Sequence, residues 1–274
     1  MTILSGTPVT EGAGVKLRRL FGHNEAPMFD PFLLLDDFRS DTPADYIKGF
    51  PWHPHRGIET ITYMLKGEAH HGDSLGNRGT IKKGEVQWMS AGSGIIHQEM
   101  PKGDETGAMH GFQLWMNLPT AHKMSEPTYR SIAEDEIPEI KTDTGARVKI
   151  IAGSMDGVSG PVSDVVTTPL YLDITVEQGA HFAFDLPPSH TTLIYAIHGE
   201  GMAAEQPLSN GQLLKLDEGA ECAVTPQAAL FRCLLFSAQP LGEPVAWRGP
   251  IVMNTQEELQ IAFDEYRNGN FIKS

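Results

Sequence analysis

The chain has 274 residues, of which 40% are hydrophobic and 20% charged, with 28 glycines and 19 prolines scattered along it. This composition excludes a disordered chain and suits a folded protein of about two ordinary domains. A formal net charge of -14 argues against nonspecific binding to nucleic acid or anionic lipid, whose phosphates it repels, and leaves neutral or weakly acidic small ligands open.

The start, MTILSGTPVTEGAGVKLRRL, lacks a basic stretch followed by an apolar core, so no secretory signal is expected. No apolar run reaches the roughly 20 residues that cross a bilayer. Only Cys222 and Cys233 are present, too few for a disulfide framework, and a buried thiol pair is the expectation. The expected compartment is a reducing cytoplasm.

Residues 14 to 38 read as short strands and turns, with LRRLFG and FLLLDDF as apolar pieces. GIETITYMLKGEAHH, from Gly57 onward, alternates apolar and polar residues and predicts a half-buried strand of period two. SLGNRG marks a turn, TIKKGEVQWMSAGSGIIHQEM is punctuated by Gly84 and Gly92, and GFQLWMNLP is a further strand ending at a proline. Residues 120 to 144 turn polar and acidic and read as the connection between two domains. VKIIAG, LYLDITVEQGAHFAFDLP, TTLIYAIHGEGMAA, GQLLKLDEGAECAVTP and ALFRCLLFSAQP then resume the strand rhythm of a sandwich or barrel. In the tail, Thr255 with Glu258 three residues on predicts a capped helix of about 12 residues, stopped near Gly269.

The expected fold class is all-β. The expected domains are an N-terminal one at 1–135, a C-terminal one at 145–252, and a closing helix and tail at 253–274. A distant repeat supports two copies of one β-fold: YMLKGEAHH matches YAIHGEGMAA, and GEVQWMSAG matches EGAECAVTP. Eight of the 11 histidines precede residue 123, whereas His181, His190 and His198 stand alone.

The chemistry concentrates in FPWHPHRG, residues 50 to 57. Residues i and i+2 of a strand share a face, so His53 and His55 project together. Pro54 between them cannot donate to a ladder, which places the segment at a sheet edge or strand start. His97 and Glu99 in GIIHQEM form a second i, i+2 pair. On neighbouring strands the two pairs would supply three imidazoles and a carboxylate, a set that suits a divalent transition metal with room for a further ligand. On spacing alone, both pairs could equally be ordinary strand residues.

The run HPHRGIETITYMLKGEAHHGDSLGNRGTIKKGEVQWMSAGSGIIHQEMP strongly resembles the pirin family of the cupin superfamily. The resemblance implies a bicupin: two cupin β-barrel or sandwich domains with a C-terminal helix. It implies one metal ion, iron(II) foremost, held by His53, His55, His97 and Glu99. Manganese, nickel, copper and zinc also suit that donor set. Glu59 stands where the general cupin pattern puts its carboxylate ligand. In pirins that role passes to the H-x-E glutamate, which leaves Glu59 a supporting part.

Some pirins are similar to quercetin 2,3-dioxygenases, which open a flavonol with dioxygen and release carbon monoxide. The resemblance thus implies an oxidoreductase with a flavonol-like substrate, in which Glu99 could also act as base toward the 3-hydroxyl. The alternative it implies is a metal- and redox-sensing regulator that binds a protein partner. Direct contact with nucleic acid or membrane is not expected. Arg56 could orient an anion or make a salt bridge. His70 and His71 face opposite ways and cannot both hold one ion, Asp73 and Ser74 read as turn caps, and His110 reads as structural. Trp52, Met89, Phe112 and Trp115 are candidate cavity walls or core.

Overall fold

A computed structural model describes residues 1–273. The chain divides into two compact units. One holds Thr7–Met28, Phe32–Glu134 and the chain from Leu241 onward; the other holds Met1–Gly6, Phe29–Pro31 and Asp135–Pro240.

In the first unit, a seven-stranded antiparallel sheet has the order Thr128–Ile132, Val86–Ser90, Ile58–Lys66, Met109–Asn117, Phe32–Ser40, Val15–Phe21, Thr7–Glu11. A four-stranded sheet has the order Phe50–His55, Ile95–Lys102, Glu68–Asp73, Arg78–Ile81. Side chains of both sheets share the core. Met64 and Met109 pack with Ala69 and Ile81, and Ile58 and Met89 pack with Ile95. These shared clusters are the interior of a two-sheet cupin.

The second unit repeats the plan. Its seven-stranded sheet runs Thr2–Leu4, Leu213–Lys215, Thr191–His198, Leu230–Ala238, Leu170–Glu177, Arg147–Ala152, Glu139–Lys141, and its four-stranded sheet runs Phe182–Phe184, Cys222–Pro226, Glu200–Ala203, Gln206–Ser209. The counterpart of Phe50–His55 is therefore Phe182–Phe184, and that of Ile95–Lys102 is Cys222–Pro226. Phe182, Cys222 and Val224 sit in the hydrophobic core there. Cys222 and Cys233 are both buried free thiols.

The topology corrects one part of the repeat. Val86–Ser90 corresponds to Leu213–Lys215, not to Cys222–Pro226. Gly84, Gly211 and Gly219 all adopt positive φ at strand-leading turns, so the glycine signal matched the wrong turn. The strand Ile58–Lys66 also differs from expectation, being buried on both faces from Ile58 to Met64. It is central in its sheet, paired on one side with Val86–Ser90 and on the other with Met109–Asn117. Within 120–144, Thr128–Ile132 and Glu139–Lys141 each add an edge strand to a sheet.

The closing helix spans Gln256–Arg267, 12 residues. Glu258 donates its backbone N–H to Thr255 Oγ1 at 3.1 Å and accepts from the Thr255 N–H at 3.0 Å, a reciprocal capping box. Its Leu259 and Ala262 pack on Ala246, Ile251 and Met253. This tail is fixed beside the HPHRG strand. The Lys123 ammonium is buried and donates to Gly57 O at 2.9 Å, Asn117 Oδ1 at 2.7 Å and Val252 O at 3.1 Å. Gly57 has φ +75 and a Cβ there would lie 2.0 Å from Val252 O, so both conformation and space require glycine.

Gly76 also has positive φ, +91, but open space around it. Gly76→Ala is expected to cost about 1 kcal/mol of backbone strain. Gly57→Ala carries the same strain plus a collision with backbone, and is expected to cost at least about 2 kcal/mol more. Urea unfolding of the two variants checks this; equal costs would show that the tail gives way at Gly57.

Candidate metal centre

His53, His55 and His97 meet because of strand geometry. His53 and His55 lie two residues apart on an edge strand, and His97 is the cross-strand partner of His53. A register shift between His97 and Glu99 then sets Glu99 opposite Phe50. The ligand atoms of the three histidines all lie within 4.8 Å of one another. His53 Nε2 is 3.0 Å from His55 Nε2 and 2.9 Å from His97 Nε2.

The protonation states follow from the surroundings. His53 Nδ1 lies 2.9 Å from Pro51 O, and His55 Nδ1 lies 3.1 Å from Pro250 O. A carbonyl only accepts, so each Nδ1 carries the hydrogen. Burial pushes all three histidines below the ordinary imidazole range, and for His55 and His97 the neighbouring imidazoles add to the effect. Neutral rings with Nδ1–H leave unprotonated lone pairs on the Nε2 atoms of His53 and His55. Two lone pairs at 3.0 Å repel unless a cation lies between them. The residues therefore fit a divalent metal, and neutral imidazole nitrogens suit iron, nickel, copper and zinc.

Glu99 is buried, has a carboxyl oxygen 3.3 Å from Thr62 Oγ1, and has its carboxyl pushed up to about 7 by burial. It is not part of the group whose ligand atoms all lie within 4.8 Å, but it lines the same cavity as His53 and His55. That cavity encloses about 740 Å³, a size that accommodates a small organic molecule. Leu17, Leu34, Phe50, Trp115 and Trp247 form its apolar wall. Four polar wall residues, Thr62, Gln113, Asp36 and Arg19, stand in cross-strand register on neighbouring strands. Thr62 Oγ1 donates to Gln113 Oε1 at 2.8 Å.

Of the four proposed wall or core residues, Trp115 lines the cavity, with its ring edge-on to His55 at 5.0 Å. Met89 and Phe112 are core, and Trp52 is 49% exposed. Glu59 is buried but off the cavity wall, because it alternates with Thr60 and Thr62 along its strand. Arg56 pairs with Glu265 at 2.7 Å, donates to Phe271 O at 2.8 Å and stacks on the Phe271 ring; it anchors the tail. His71 bonds the Tyr129 hydroxyl, exposed His70 lies by Glu68, and His110 lies 3.4 Å from Asp37. Asp73 Oδ1 accepts from the N–H groups of Leu75 and Asn77, and Ser74 Oγ accepts from the N–H of Ile96. Sequence reading missed Pro250, whose carbonyl reaches His55 from 195 residues away along the chain, and Trp247, which lines the cavity.

Family profiles match this architecture directly: Pirin over residues 14–116 and the Pirin C-terminal cupin domain over 171–272. The chain belongs to the pirin family. A "Pirin-like protein" of Caulobacter vibrioides is 42% identical, covering 99% of this chain and 98% of that protein. A Pseudomonas aeruginosa protein named "Putative quercetin 2,3-dioxygenase" is 43% identical, covering 97% of this chain and 95% of its own length. A crystal structure titled quercetin 2,3-dioxygenase from Acinetobacter baumannii superposes with a TM-score of 0.89 at 31% identity, covering 99% of this chain and 97% of that one. A bacterial pirin from Escherichia coli crystallised with nickel(II) shares the fold, with a TM-score of 0.66 at 20% identity over 87% of this chain and 98% of that one. No helix of this pirin among the described residues is long and apolar enough to cross a membrane.

His97→Ala removes the one imidazole of the cluster that comes from the neighbouring strand. Elemental analysis of protein purified without added metal is expected to find about one divalent ion per wild-type chain. The variant is expected to lose affinity by at least about 100-fold, more than an outer-sphere change costs. Equal metal content in both would contradict the site.

Proposed function

We propose that this pirin is a metal-dependent dioxygenase that opens a flavonol such as quercetin. The observation that carries the reading is the pair of facing lone pairs of His53 and His55, with His97 Nε2 2.9 Å from His53 Nε2, on the wall of an aromatic-lined cavity of about 740 Å³. The relatives and the superposed structure that carry the name quercetin 2,3-dioxygenase support it.

In this reading His53, His55, His97 and Glu99 hold iron(II) or a related divalent ion. The ion supplies a Lewis-acidic centre that favours the deprotonated form of a coordinated hydroxyl. Glu99, buried in the cavity wall, takes the proton of the flavonol 3-hydroxyl through a carboxylate oxygen. Trp115 and Trp247 hold the flat ring system, and their apolar surface excludes water. Dioxygen then opens the flavonol ring and carbon monoxide leaves.

A second reading makes the ion a redox reporter to a protein partner. Trp52 favours it, being 49% exposed and adjacent to His53 on the edge strand. A pull-down that depends on metal oxidation state, from protein without oxygenase activity, would select this reading.

Turnover of quercetin by metal-loaded protein separates the two. The expected result is carbon monoxide release in air, none without dioxygen, and a loss of at least about 100-fold in His97→Ala. Metal-replete wild-type protein that leaves quercetin intact in air would end the flavonol reading.

A further inference from the structure

Gln113 carries hydrogen-bond donors on the cavity wall that the protein itself does not use. It sits on the strand Met109–Asn117 between Phe112 and Leu114, which are buried core residues off that wall. Gln113 and Trp115, two residues apart, share the opposite face, and both line the cavity. The cross-strand partners of Gln113, Thr62 on one side and Asp36 on the other, line it too. The amide therefore stands in the middle of a polar stripe across the sheet.

The neighbours on that stripe are engaged with the protein. Arg19 donates to both Asp36 oxygens at 2.8 Å and to Glu11 at 2.8 Å. The single hydrogen of the Thr62 hydroxyl goes to Gln113 Oε1 at 2.8 Å. That bond fixes the amide: with Oε1 turned to Thr62, both Nε2 hydrogens point away from it. Nε2 has no acceptor among the described residues. It is not sealed in the core either, and opens on the cavity that the side chain lines.

Glu99 Oε1 lies 3.3 Å from the same Thr62 hydroxyl. The Gln113 amide and the Glu99 carboxyl thus flank one hydroxyl, close enough together to meet oxygens on adjacent carbons of one ring. Gln113 stands between two carboxyl groups, Asp36 and Glu99, on a chain of net charge -14. An anionic oxygen is repelled there, and a neutral acceptor is not.

We infer that the cavity takes a planar aromatic ligand with two oxygens on adjacent ring carbons: a hydroxyl directed to Glu99 and a neutral acceptor oxygen received by Gln113 Nε2. A flavonol, with its 3-hydroxyl beside the 4-carbonyl, is one member of that class. The inference rests on the cavity being the substrate site, and it does not depend on flavonol cleavage. Gln113 is a specificity residue. A ligand with a single oxygen leaves the amide hydrogens unpaired where water is excluded, and is bound less well.

Equilibrium binding of two fluorescent probes, 2,3-dihydroxynaphthalene and 2-naphthol, tests this on the metal-loaded full chain without dioxygen. The wild type is expected to bind the diol more tightly. Gln113→Met keeps the length of the side chain and removes its donors. It is expected to weaken the diol roughly tenfold and to leave 2-naphthol within about twofold. Gln113→Leu, a second variant without donors, is expected to repeat the pattern. Parallel weakening of both probes would make Gln113 a packing residue and overturn the assignment. A diol affinity untouched by either variant would mean that the metal alone selects adjacent oxygens, and would overturn it too, as would a wild type that does not bind the diol. Quercetin turnover on the same wild-type preparation reads the flavonol proposal separately: a diol preference that depends on Gln113, with inert quercetin, leaves the inference standing and removes only the flavonol.

Discussion

Unprotonated imidazole nitrogens forced to within 3.0 Å of each other are the constraint around which this molecule is organised. Such a contact is repulsive without a cation, so the surrounding structure must impose it. Two carbonyls do so by fixing the tautomers of His53 and His55. The edge strand sets two imidazoles on one face, and antiparallel register delivers the third. Burial then keeps protons off the rings, because a charged imidazole is costly away from water.

One of those carbonyls, Pro250 O, belongs to the far end of the chain. The tail from Leu241 onward is part of the unit that holds the histidine cluster, held by Lys123, by the Arg56–Glu265 pair and by the contact that forbids a side chain at Gly57. It also supplies Trp247 to the cavity. The closing helix therefore positions the centre as well as covering the barrel. The second unit shows the same sheet plan put to another use. Where the first has histidines and a glutamate, it has Phe182, Cys222 and Val224 packed into a core, and the interior is filled with apolar side chains.

Much of this was legible in the sequence because strand period and helix capping are local rules. The spacing of His53 and His55, and of His97 and Glu99, put each pair on one face, and Thr255 with Glu258 marked the helix start. The family resemblance joined the two pairs. What stayed hidden depends on non-local contacts. The alternation in GIETITYML suggests one wet face, yet a central strand is buried on both. Met89 and Phe112 look like Trp115 by composition, and only the direction of each side chain sorts core from wall. The Pro250 carbonyl carries no residue-type signal at all, since any residue has one. The mismatch between GEVQWMSAG and EGAECAVTP arose because three glycine turns of positive φ look alike before strand order is known.

The protonation pattern of the imidazoles in metal-free protein tests the central claim most directly. Long-range ¹H–¹⁵N correlation spectra of ¹⁵N-histidine-labelled protein distinguish the two neutral tautomers and the imidazolium. His53 and His55 are expected to be neutral at pH 7.5 with the hydrogen on Nδ1. Imidazolium signals from either ring, or the hydrogen on Nε2, would mean that the lone pairs do not converge, and the metal centre as described would be wrong.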